Sequence, residues 1–145
     1  MSAAAISMPA KAEADVARAI LLRLRGDAAV QAVFGTPARI FDEETDVPAY
    51  PNAVLERHQT SDAGSSCVPA LEHRITISVA SRWGGRRYAK EAIGFLRQAL
   101  ETSPLAIDGQ TVVLQQVVFT DVLRTSDARL FRGVLQFRVV TEEAV

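Results

Sequence analysis

Residues 81–92 read SRWGGRRYAKEA, two glycines behind a tryptophan and then Arg86, Arg87 and Lys90, with Arg82 just ahead of them. Glycines followed by cations at a helix start have the composition of an anion cradle, because backbone N–H groups and the helix dipole can face a phosphate there. The spacing departs from that use. A Walker loop needs Lys and then Ser or Thr after its last glycine, and a dinucleotide loop needs three glycines in fixed register. WGGRRY has neither, so Gly84 and Gly85 read as a turn that swings the chain from a strand into a helix, with Trp83 packed over the helix start. Cations in a first helical turn oppose the macrodipole, by about 0.3–1 kcal/mol each. That penalty points to an anionic partner outside the chain. Arg82, Arg86 and Arg87 therefore read as salt bridges to an acidic partner such as a neighbouring subunit, with a solvated surface or a nucleic-acid grip as the alternatives; Lys90, Arg132 and Arg138 stand with them as subunit-interface candidates.

The nucleophile candidates are Cys67 with His58 or His73, and Ser61 or Ser65 with His58 and Asp62. None lies in a strained-turn signature such as G-x-S-x-G, and the Gly/Ser-rich segment that carries them is poor ground for preorganised catalysis. His73 opens a strand and reads as a surface or edge residue. The acidic run Asp42, Glu43, Glu44 and Asp46 lacks the central glycine and terminal glutamate of a calcium loop, which leaves a solvated loop or an acidic partner for the arginines. A lone cysteine and two distant histidines give no zinc spacing. Neither a catalytic centre nor a metal or cofactor site is expected.

The elements that must position these residues follow from periodicity. Val16, Ile20 and Leu24 recur every fourth residue, predicting an amphipathic helix from Ala12 that ends at Gly26. Asp27 is placed to cap a short second helix and Gly35 to stop it. ARIF at 38–41 reads as a short strand and NAVLERHQT as a longer one. From His73, Ile75, Ile77 and Val79 alternate with Arg74, Thr76 and Ser78, the pattern of a half-buried strand. A second major helix is predicted from about Arg86 to Glu101. Asp108-Gly109 is the dipeptide of a type I′ hairpin turn. Two long strands then flank RTSDA, the last with Phe131, Gly133, Leu135, Phe137 and Val139 on one face and Arg132, Gln136 and Arg138 on the other.

This order, without regular βαβ alternation, predicts an α+β fold: a mainly antiparallel sheet of four to five strands with two main helices on one face. Val134, Val140, Val112 and Leu114 interrupt the polar side of the sheet, as expected when another chain covers part of it. At 145 residues and 48% hydrophobic content the chain has the size of one domain, read as 11–145 behind a flexible arm, 1–10. The arm lacks a basic region and is broken by Pro9, so it reads as neither signal peptide nor membrane span. A net charge of −1 gives no global attraction to nucleic acid or membrane, and the single cysteine fits a chain made in a reducing cytoplasm.

Taken in order, SRWGGRRYAKEAIGFLRQAL, SPLAIDGQTVV and LFRGVLQFRVVTEE resemble the tail completion or tail terminator family of long-tailed, siphovirus-like phages and gene transfer agents. The resemblance runs from the first helix to Glu143, and the segment Gln59–Pro69, with Cys67, is its least family-like part. It implies a structural virion protein that is not an enzyme. Six copies would form a ring on the head-proximal end of the tail tube, end its polymerisation and dock it to a head-side connector, with DNA passing through unbound. Alternatives are a head-tail adaptor ring, or a small ligand-binding protein or enzyme using residues 58–73.

Overall fold

A computed structural model describes residues 8–43, 49–65, 67–82, 85–125 and 130–144. Trp83, Gly84, Glu44, Asp46 and most of the predicted arm lie outside the described residues. The elements are α1 (Ala12–Gly26), α2 (Ala28–Phe34), β1 (Ile40–Phe41), β2 (Asn52–Asp62), β3 (Ala70–Ser81), α3 (Gly85–Glu101), β4 (Gln110–Arg124) and β5 (Phe131–Glu143). The strands form one sheet in the order β1-β2-β3-β5-β4, with β1 parallel to β2 and every other pairing antiparallel. The α+β architecture is the expected one.

Local chemistry sets the helix ends. α1 carries Glu13 and Asp15 in its first turn and Arg23 and Arg25 in its last, the arrangement that complements the macrodipole. The Asp27 carboxylate accepts the Val30 N–H at 3.0 Å and starts α2, and Gly35, at φ 95°, ends it. Arg23 donates to the carbonyls of Ala99, Ser103 and Pro104, tying α1 to the end of α3. Among the described residues, no helix is long and apolar enough to cross a membrane.

The core lies between the helices and one face of the sheet. Val16, Ile20 and Leu24 of α1, Ala92 and Leu96 of α3, and Ile75, Ile77, Leu135, Phe137 and Val139 of the central strands are all fully buried. α3 approaches β5 closely at Gly133, where an added Cβ would stand 2.9 Å from Ile93 Cγ1 and 3.5 Å from Val79 Cβ. A Gly133→Val variant is expected to lose about 1–3 kcal/mol of stability through overpacking. Chemical denaturation would measure this, and an unchanged midpoint would show that Ile93 moves aside freely.

β4 departs from simple alternation. Its pairing with β5 slips at Val113 and again at Val118, each a β-bulge. The first bulge places Val112 opposite Thr141, on the helix side, rather than on the polar side where alternation had put it. Leu114 falls opposite Val140 on the open face, as expected. The Asp108-Gly109 turn also differs from a type I′ turn, which needs positive φ at both residues. Only Gly109 has it, at 71°, and the turn closes an isolated bridge between Ile107 and Gln110 rather than a hairpin of two long strands.

Candidate assembly surface

Gly85 stands at φ 61°, the left-handed conformation that the glycine turn predicts. It delivers the chain into α3 with Arg86, Arg87 and Lys90 all exposed. The six cationic candidates then divide. Arg82 stacks its guanidinium 4.7 Å from the Tyr50 ring centre. Arg87 pairs with Glu91 one turn on, at 3.1 Å. Arg132 bridges Glu56 with both carboxylate oxygens, at 2.6 and 2.8 Å, and also donates to Ser78 Oγ. Arg138 donates to Glu72, which Arg74 also engages. The two guanidinium groups hold the Glu72 carboxyl below its ordinary range.

Arg86 and Lys90 make no hydrogen bond or ion pair among the described residues. They line a cleft of about 520 Å³ between α3 and β4, together with Arg97, Gly94, Asp121 and Val122. Gly94 keeps the cleft open, since nothing lies within 4 Å of where its Cβ would stand. β4 forms the outer wall and is an edge strand of the sheet. Its bulged and neighbouring positions expose apolar side chains, with Val113 at 56% and Phe119 at 49%, and Val118 and Leu123 behind them. Bulges on an edge interrupt the ladder and disfavour indiscriminate strand addition. The exposed Val and Phe side chains supply sticky surface for a shaped contact.

The open face of the sheet is mixed. Val134 stands between Ser78 and Asp121, and Val140 between Glu72 and Leu114, among the Arg132–Glu56 and Arg138–Glu72 pairs. Arg132, Arg138 and Arg74 are engaged there by Glu56 and Glu72 within the chain, which leaves less of their charge for a phosphate.

The histidines are not placed for nucleophilic catalysis. His73 is fully buried in the central strand β3, not at a surface or edge. Its Nδ1 lies 2.8 Å from His58 Nε2, and its Nε2 faces Thr141 Oγ1, which donates to Gln110. Gln110 in turn donates to the Ala12 carbonyl, so the chain of polar groups runs from β2 to α1. Burial lowers the pKa of His58, and burial together with its histidine neighbour lowers that of His73 to about 4. Both imidazoles are neutral at pH 7. Cys67 is exposed in the β2–β3 connection, and Ser65 Oγ accepts the N–H groups of Cys67 and Val68. Asp62 accepts the Gly64 N–H. Ser61 pairs with Glu72, on the sheet face opposite His58, so Ser61, His58 and Asp62 do not converge. Asp42 and Glu43 are exposed just after β1, and no group of three metal-ligating side chains occurs among the described residues.

The sequence reading missed Asp121, Gly94 and the apolar edge residues as parts of one surface. The doubled valines at 112–113 and 117–118 carry the signal, because each breaks the two-residue period where a bulge occurs.

Comparison with known proteins gives two findings. Residues 18–142 match the family model described as tail completion protein gp17. The fold is similar to a chain of the structure described as the virion of a native gene transfer agent particle, with a TM-score of 0.82 and 24% identity, covering 92% of this chain and 99% of that one. No curated protein matches.

Proposed function

This chain belongs to the tail completion protein family and is a structural tail protein, and on that premise we propose that six copies form a ring at the head-proximal end of a tail tube. The ring ends tube polymerisation and joins the tube to the head-side connector of a phage-like particle. The observation that carries this reading is the family match over residues 18–142, nearly the whole folded region. The fold shared with a gene transfer agent virion chain supports it. The exposed apolar edge of β4 and the unpartnered cations beside it suit a subunit that meets other chains. A closed ring of one chain uses a heterologous contact, in which two different surfaces of the subunit meet and the rotation sets the copy number.

The role is assembly rather than catalysis: buried His73 and half-buried His58 are turned to each other, and Ser61 lies on the sheet face opposite His58. DNA crosses the ring without specific binding, in keeping with the near-neutral net charge of −1.

Purified protein mixed with tail tubes and a labelled antibody fragment tests the placement by electron microscopy. Six-fold rings at one tube end are expected. Label on the head-side ring of whole particles, with bare tube ends, would instead assign the adaptor position.

A further inference from the structure

The register of the sheet places two charged regions of opposite sign at the same height. Ile40 of β1 pairs with Ala53, Ala53 with Val79, Val79 with Gly133, and Gly133 with Val122 of β4. One row therefore crosses the entire sheet. At its β1 end the chain leaves through Phe41 into exposed Asp42 and Glu43. At its β4 end Val122 borders the cleft with Arg86 and Lys90. The two ends are four strand spacings apart, about 19 Å, and on opposite edges of the sheet. Among the described residues, Asp42 and Glu43 make no ion pair with Arg86 or Lys90 within one subunit.

We propose that the cleft between α3 and β4 receives the acidic β1 end of the next copy, so that Arg86 and Lys90 of one subunit pair with Asp42 and Glu43 of its neighbour. This rests on the ring reading and names the contact that closes the ring. Opposite edges at one level are the geometry of a head-to-tail contact, because a subunit then presents donor and acceptor surfaces on its two flanks. An acidic occupant also relieves the electrostatic penalty of Arg86 and Arg87 in the first turn of α3, which holds no acidic residue of its own. Ile93 and Val122, which line the same cleft, supply apolar contact beside the charges.

Charge reversal tests the contact. R86E/K90E and D42K/E43K should each stay folded, because all four side chains are exposed and unpaired among the described residues. Each should raise the protein concentration needed for half-assembly by on the order of tenfold or more, measured by mass photometry alone and on tube ends. Mixing the two variants in equal amounts should restore rings, because alternating subunits then present an opposite charge at every junction. The wild-type ring should also weaken in 0.5 M NaCl, as screened charge pairs do. Reversal variants that assemble like the wild type would overturn the contact and leave the ring reading intact. Rings that form normally but no longer join the tube would also overturn it, assigning the cleft to a different partner. Wild-type protein that forms no ring, alone or on tubes, would overturn both.

Discussion

Phe137→Ala should lower the unfolding free energy by about 3–5 kcal/mol in urea titration, the range for removing a buried aromatic ring. Phe137 is fully buried at the centre of the sheet, between Ile75 of β3 and Val117 of β4 in register. Leu135 and Val139 flank it on the same buried face, so removing the ring leaves a cavity in a close-packed core. Domains of this kind have about 5–15 kcal/mol of stability in total. The variant should then be partly unfolded at 37 °C. Gln136→Ala, one residue earlier and on the open face, is the control and should change stability by less than about 1 kcal/mol. Similar losses for the two variants would show that the helix-covered face is not the core.

Acidification should destabilise the protein well before its carboxylates are protonated. His58 and His73 are held neutral in the fold, with the His73 pKa lowered to about 4, against about 6.5 in an unfolded chain. As pH falls through 6.5 the unfolded chain takes up protons that the folded pair refuses. Stability is therefore complete above pH 6.5 and lost progressively toward pH 4, by about 3 kcal/mol for His73. Glu13 of α1 pulls both values upward, and Gln110 and Thr141 are uncharged, so desolvation of the imidazoles sets the direction. Below this window, protonation of Glu72 removes the pairs with Arg74 and Arg138 and adds to the loss. A His58→Gln/His73→Gln double variant should lose the slope between pH 6.5 and 4.5 while keeping hydrogen-bonding groups in place. If the double variant titrates like the wild type, the histidine pair does not govern acid stability.

The elements carried by strong periodicity were legible in the sequence. Val16, Ile20 and Leu24 announced α1, Ile75, Ile77 and Val79 announced β3, and the alternation from Phe131 to Val139 gave both faces of β5. Asp27 and Gly35 acted as the caps their chemistry predicts. Where tertiary pairing decided, the reading failed. Val112 changed faces because a bulge at Val113 adds a residue to one strand, and local alternation cannot show what the partner strand does. His73 became a core residue because β5 and β2 flank β3 on both sides, which the polar side chain disguised. The candidate cations were found by type and position. Which of them are engaged within the chain depended on partners such as Glu56, Glu72 and Tyr50, far away in sequence or on other elements.

The cross-sheet row from Ile40 to Val122 was likewise invisible until the register was known, although both charged segments at its ends stand out in the sequence. The physical reason is the same. Composition identifies groups that seek partners, whereas strand order and register determine which groups can reach one another.

The proposed role, ending the tail tube and joining it to the head, is tested by negative-stain microscopy of particles assembled without this protein. Overlong tubes together with filled heads lacking tails are predicted, and adding back the wild-type protein should restore tubes of normal length on heads. Intact, infectious or transducing particles in its absence would contradict the claim.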